Sequence, residues 1–176
     1  DQDPRTTTLT INSTKCNVLR IVNPRCKNKS DIVYDLNGSS LKVLSVVKDL
    51  GVAVDNNLRF DNHISSVVHK SLQRGNLILK CFQSRDRNLL MKAFKVYVRP
   101  LLEYATPVWS PQFMYLILKI EHVQRSFTKR LFGLKNLTYI DRLKQLEIDT
   151  LEHRRLIYDL CTCFKIIHGY NDTCLD

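Results

Sequence analysis

The chain has 176 residues, 44% hydrophobic and 25% charged; this is ordinary globular composition, long enough for one domain or two small ones, and it argues against disorder. The net charge of +10 is uneven: residues 1–60 carry 9 Lys/Arg against 6 Asp/Glu, residues 61–135 carry 13 against 4, and residues 136–176 carry 5 against 7. A surplus of +9 in the middle third points to a polyanionic partner for that segment rather than to general solubility.

Taken in order, residues 8–60 read as β structure. Thr8 to Ile11 is a short β-prone run and Cys16 to Val22 a second, followed by a polar, basic loop from Pro24 to Ser30. Ile32 to Leu36, Asn37-Gly38 and Leu41 to Val47 form a hairpin signal, because Asn-Gly supplies the two positive-φ residues of a type I′ turn. Leu50 to Val54 reads as a further strand in which Gly51 marks a bulge or a close backbone approach.

After Phe60 the period changes from 2 to 3.6. Ile64, Val68, Leu72, Gly75, Leu79 and Phe82 form a stripe along a helix from about Asp61 to Gln83, with Lys70 and Arg74 stacked one turn apart on its surface. The next helix starts at about Asp86. Leu90, Phe94, Tyr97 and Leu101 recur on one face, while Lys92, Lys95 and Arg99 recur on another, with Arg85 one heptad earlier on the same side. Pro100 kinks or ends that helix. Ser110-Pro111 reads as an N-cap with proline at the first helical position, opening a helix that runs to Gly133. Its apolar stripe is Phe113, Leu116, Ile120, Val123, Phe127 and Leu131, and its polar side carries His122, Arg125 and Lys129 with Lys119 and Arg130 beside them. Thr138-x-x-Asp141 begins a short helix, and Asp149-x-x-Glu152 is a capping-box pattern before a last helix ending at Gly169. The expected fold is α+β: a small N-terminal antiparallel β hairpin or sheet over residues 1–60, a basic helical bundle over 61–135, and C-terminal helices over 136–176 that pack on the bundle.

Several chemistries lack a signature. The six cysteines have no zinc-ribbon or finger spacing, and Cys161 and Cys163 at i and i+2 point to different faces of one helix. There is no nucleophile elbow and no Gly-rich phosphate loop. The chain opens on DQDPRTTT rather than on a basic then apolar leader, and the uncharged stretch Tyr104 to Leu118 is too short and too proline-broken to span a membrane. These features favour an intracellular protein with reduced cysteines, without a membrane partner; the lack of an initiator methionine suggests a piece of something longer. What remains is the basic surface. Lys70, Arg74, Arg85, Lys92, Lys95, Arg99, Arg125, Lys129 and Arg130 come from three successive helices with little acid to balance them, and such residues suit phosphate contacts that need no base-reading geometry. A solvated helix face is the plain alternative for any one of them.

Five stretches in order then resemble one family: INSTKCNVLRI (Ile11 to Ile21), KDLGVAVDNNLRFDNHI (Lys48 to Ile64), VRPLLEYATPVWSP (Val98 to Pro111), IEHVQRSFTKRLFGL (Ile120 to Leu134) and YIDRLKQLEIDTLEHRRL (Tyr139 to Leu156). Together they resemble the C-terminal part of non-LTR (LINE, jockey-like) retrotransposon reverse transcriptases, over nearly the whole chain. The resemblance implies the end of the palm, the primer-grip region and the thumb of an RNA-directed DNA polymerase. It matches Lys15 to a palm lysine that assists proton transfer to pyrophosphate, Gly51 to the primer grip, and the helices from Asp61 to Gly133 to a thumb that tracks an RNA–DNA or DNA duplex along its backbone. The family's Asp-Asp turn, which binds two magnesium ions, lies upstream of the match to Ile11, and this sequence has no Asp-Asp pair. The expectation is therefore a fragment that binds duplex but holds no cofactor and does not polymerise alone, with the missing fingers and palm as its natural partner. The competing expectation, from another class, is a co-opted or relic helical module that binds a protein.

Overall fold

The computed structural model describes residues 12–21, 32–36 and 38–170. The expected strand at Thr8 to Ile11, the loop from Pro24 to Ser30, Asn37 of the hairpin turn, and Cys26 and Cys174 lie outside the described residues. The architecture is α+β, in two compact units, Asp1–Leu58 and Arg59–Asp176.

The first unit opens with a single 3-10 turn, Ser13–Lys15, followed by β1 (Asn17–Leu19), β2 (Asp35–Leu36), β3 (Ser39–Ser40), β4 (Lys42–Leu44), β5 (Val46–Asp49) and β6 (Val52–Asp55). The hairpin expected at Asn37-Gly38 forms: β2 pairs antiparallel with β3, Leu36 opposite Ser39, and Gly38 takes the positive φ of 77° that the turn demands. Two expectations are corrected. The run Leu41 to Val47 is broken at Ser45, so that β4 pairs with β1, in parallel rather than antiparallel fashion, while β5 pairs with β6. The run Leu50 to Val54 is not one strand, because Asp49 sits opposite Val52 and leaves Leu50 and Gly51 as a two-residue loop. Both loop residues have positive φ, 43° and 91°, which is the type I′ pattern; Gly51 therefore supplies a turn, not a bulge.

The second unit holds α1 (Asp61–Cys81), α2 (Arg87–Tyr97), α3 (Arg99–Glu103), α4 (Thr106–Trp109), α5 (Met114–Lys129), α6 (Tyr139–Leu146) and α7 (Leu151–Ile167). α1 and α5 pack together as its centre, α2 and α3 lie against α1, α6 and α7 lie against α5, and α4 touches α7. Gly75 of α1 faces Phe127 of α5, where a Cβ would meet the ring at 3.4 Å, an ordinary van der Waals contact. Phe94 of α2 lies on the same Phe127 ring, centroids 4.7 Å apart. The expected α1 stripe is buried at Ile64, Val68, Gly75 and Leu79, whereas Leu72 and Phe82 are only half-buried.

The α2 stripe needs a larger correction. Leu90 and Phe94 are buried as expected, but Tyr97 is 54% exposed and the core continues through Val98 and Leu102. The cause is the break at Pro100. It enters at the second residue of α3, where its missing amide hydrogen costs nothing, and the chain rotates by the one residue that separates Tyr97 from Val98. α5 starts at Met114 with Phe113 as its N-cap rather than at Ser110-Pro111, and it ends at Lys129, leaving Gly133 (φ 77°) in the turn beyond. Phe113 is consequently outside the core, under the Arg59 guanidinium at 5.0 Å. α7 is capped by Thr150, whose hydroxyl accepts the His153 amide at 3.0 Å, while Asp149 pairs with the His153 ring at 3.3 Å. The helix expected from about Asp86 starts at Arg87, and Asp86 caps it, accepting from the amides of Asn88 and Leu89. Trp109 is buried and donates from Nε1 to the Tyr104 carbonyl at 2.7 Å, while the Tyr104 ring is exposed. Among the described residues no helix is long and apolar enough to cross a membrane.

Candidate nucleic-acid interface

The outer face of α1 repeats polar and basic residues at helical spacing: Lys70, Gln73, Arg74, Leu77 and Lys80 fall on one side because 3.6 residues complete a turn. They line an open groove of about 580 Å³ with Leu101 of α3 and Asn76, and none of the lining residues is acidic. Two contacts fix its walls. Arg74 donates from Nη1 to the Tyr97 carbonyl at 3.4 Å, at the end of α2. Arg130, just past the end of α5, donates from Nη1 to the Asn76 side-chain carbonyl. Three of the sequence-derived candidates, Lys70, Arg74 and Arg130, thus converge on one surface from two parts of the chain. Lys80 completes it. The sequence reading missed Lys80, although it lies ten residues after Lys70 on the same helix face.

The cationic run on α2 and α3 has a different environment. Lys95 and Arg99 face a cavity of about 720 Å³ that they share with Glu103, Asp149, Tyr104, Arg154 and Arg155. Arg154 of α7 grips Glu103 with two hydrogen bonds, Nε to Oε1 at 2.5 Å and Nη2 to Oε2 at 3.1 Å. Arg99 reaches the same carboxylate at 3.7 Å and is only a quarter exposed. The hydrogen bond to Glu103 raises the Arg154 pKa. Burial, then the neighbouring Arg154, lower that of Arg99, with Glu103 pulling the other way. Both guanidiniums stay charged, since arginine titrates far above neutrality. Lys92 is exposed on α2, outside the cavity.

The remaining candidates separate. Arg85 lies before α2, not on its cationic face; its Nη1 donates to the Leu79 carbonyl at 3.2 Å, satisfying an end of α1. Arg125 lies over the Tyr139 ring at 4.8 Å, with Arg142 at 5.4 Å, so it links α5 to α6. Lys129 is exposed at the end of α5. In the first unit Lys15 is exposed at the close of the 3-10 turn, and Gly51 is exposed at the β5–β6 hairpin tip.

Beneath the surface lies a polar junction that no motif announces. Glu121 of α5 is 6% exposed. Its Oε1 accepts the Tyr139 hydroxyl hydrogen and the Leu151 amide, and its Oε2 accepts the Glu152 amide, so that it closes the positive N-terminus of α7. Gln124, one turn on, donates to the Tyr139 oxygen at 3.1 Å and to the Asp149 carbonyl at 2.9 Å. Burial and then the Glu121 hydrogen bond push the Tyr139 phenol well above its ordinary value, so it acts as a permanent donor. Among the described residues no group of His, Cys, Asp or Glu could hold a metal ion.

An uncharacterized protein of Caenorhabditis elegans is 32% identical to this chain over 126 residues, a match that takes in 70% of the chain and 64% of that protein. The chain thus spans less than two thirds of the length of this relative. No family model matches the sequence, and no solved structure matches it.

Proposed function

We propose that this chain is the palm-end and thumb portion of a non-LTR retrotransposon reverse transcriptase and that it grips the template–primer duplex by its phosphate backbone without catalysing polymerisation itself. The observation that supports this reading best is the groove on α1, lined by Lys70, Arg74 and Lys80 with no acid among its described lining, beside which Arg130 donates to Asn76. It gives a physical target to the +9 surplus of residues 61–135, in a chain whose five ordered segments resemble that family. Four cations without neighbouring carboxylates attract a polyanion by releasing its counterions, and none is placed to read base edges. Arg99 and Arg154 contribute less, because Glu103 already occupies them. In this reading the exposed tip of β5–β6, with Gly51, is a primer-grip element and Lys15 an assisting residue. The magnesium ions of the family's chemistry find no home here: the sequence has no Asp-Asp pair, so no step is assigned to them.

Binding of an RNA–DNA hybrid followed by fluorescence anisotropy tests the reading. Four phosphate contacts imply a slope of log K against log salt of about −3 to −4, at about −0.9 per contact. Reversal of the four cations to glutamate abolishes the slope, whereas two hybrids of unrelated sequence bind alike. A flat salt response, or binding indifferent to the four reversals, refutes the proposal. A second reading, a helical module that binds a protein, draws on a separate observation: the outer face of α7 is apolar and uncovered.

A further inference from the structure

α7 packs on α4 and α5 through one face, with Leu151 and Arg155 buried and Thr162 and Ile166 half-buried. On the opposite face Ile157, Leu160, Phe164 and Ile167 recur at three-four-three spacing and are 46, 61, 55 and 75% exposed. That spacing is a coiled-coil seam. Leu156 and Tyr170 flank it; the Phe164 ring lies 4.2 Å from that of His168 and is stacked on that of Tyr170 at 6.2 Å, so the aromatic end is preformed. At about 150–250 Å² for a whole large side chain, the exposed parts of these six amount to roughly 650 Å². That exceeds the largest apolar patch of most monomers, about 300–600 Å². Doubled, it reaches roughly 1,300 Å², within the range of stable interfaces at about 1,200–2,000 Å².

We propose that this face is a dimer interface, in which α7 lies antiparallel against α7 of a second copy across a two-fold axis at the level of Thr162, midway along the seam. A three-four-three seam reads the same in both directions, which is the self-complementarity that a two-fold contact requires. Leu160 then packs beside the partner's Phe164, and Ile157 beside the partner's Ile167. This pairing does not depend on the duplex-binding reading.

Sedimentation velocity on the whole chain tests it, with Leu160→Glu/Phe164→Glu as the variant. The wild-type chain sediments as a dimer at micromolar concentration, and the variant weakens association by about 100-fold or more, as central interface anchors do, with helical circular dichroism retained. Should the double variant lose helicity, Ile167→Lys at the exposed last residue of α7 gives the same readout. With the exposed native cysteines replaced by serine, a mixture of Leu160→Cys and Phe164→Cys chains forms a disulfide dimer on mild oxidation, and Leu160→Cys alone does not. A monomeric wild-type chain, which would mean that another protein or polypeptide segment covers the face, overturns the proposal. So does a dimer unaffected by the substitutions, or crosslinking by Leu160→Cys alone.

Discussion

Replacing Glu121 by glutamine keeps the shape of the junction between α5, α6 and α7 and removes its charge. The carboxylate serves three donors at once, the Tyr139 hydroxyl and the amides of Leu151 and Glu152. Glutamine has one oxygen and one NH2 group, so its oxygen can serve two of these donors, while its nitrogen meets the third donor head on. Loss of the charge at the N-terminus of α7 costs up to about 2 kcal/mol in a partly buried setting. The unpaired donor adds about 1–3 kcal/mol. Relaxation recovers part of this, so a net destabilisation of about 2–4 kcal/mol is expected. Glu121→Ala leaves all three donors unserved and lies at or above the upper end. Urea unfolding followed by circular dichroism measures the loss. A double-mutant cycle with Tyr139→Phe isolates the shared bond, with a coupling of about 1 kcal/mol or more expected for groups in one network. A Glu121→Gln protein within about 0.5 kcal/mol of wild type, the range of an ordinary surface substitution, would refute the assignment of Glu121 as the anion that holds α7 in place. So would strict additivity with Tyr139→Phe.

Three further outcomes follow from the packing. Gly75→Ala stabilises the second unit by up to about 1 kcal/mol, because a helical glycine is replaced and the new methyl meets Phe127 at an ordinary contact of 3.4 Å; Gly75→Val overfills the α1–α5 contact and lowers the urea midpoint. Trp109→Phe costs about 2–4 kcal/mol through lost volume and the lost hydrogen bond to the Tyr104 carbonyl, read in the same unfolding assay. His63 packs its ring edgewise against Trp109, centroids 5.2 Å apart, and burial, then Lys70, hold its pKa below 6.5. Below that pH the unfolded chain binds more protons than the native one, so the His63 contribution is complete above pH 6.5 and declines as pH falls towards the folded-state value. Urea midpoints measured from pH 7.5 down to 5 are expected to fall less steeply in His63→Phe than in wild type.

Helix identity was legible in the sequence wherever a periodic run met a clear stop. α1 begins at Asp61 as read, where a 3.6-residue stripe sets in, and α2 starts at Asp86, whose side chain caps it; both are local signals. What escaped was set by partners distant in sequence. Ser110-Pro111 has every local mark of a helix start, yet α5 begins at Met114. Tyr115, in its first turn, donates to Asp61 and accepts from Arg59, 56 residues away, and the Arg59 guanidinium lies over Phe113. Leu50 to Val54 looks like a strand because four of its five residues are apolar; only the pairing of Asp49 with Val52 shows that Leu50 and Gly51 turn. Glu121 was the largest omission. One acid among Ile120, Val123 and Phe127 reads as a surface residue, but Gln124 and Thr128 fall on the same buried face. Three polar residues on the core side of one helix were the available signal, because buried polar groups imply a network that satisfies them.

The two cationic groups that composition merged into one surplus differ in what the chain has already done to them. Lys95 and Arg99 sit in a cavity with Glu103 and Asp149, and α7 brings Arg154 onto the same Glu103. A phosphate entering there meets a carboxylate within a few ångströms of each guanidinium, and at an effective dielectric constant near 20 a unit charge at 4 Å contributes about 4 kcal/mol of either sign. The two carboxylates offset half of the four positive charges in that lining, Lys95, Arg99, Arg154 and Arg155, and leave a net +2. On α1 the groove's cations, Lys70, Arg74 and Lys80, meet no acid among its described lining residues, and Arg130 beside it donates to the uncharged Asn76 amide. The burial of Glu121 serves this asymmetry indirectly. By fixing the start of α7 it holds Arg154 against Glu103, so that this carboxylate is shared by Arg154 and Arg99.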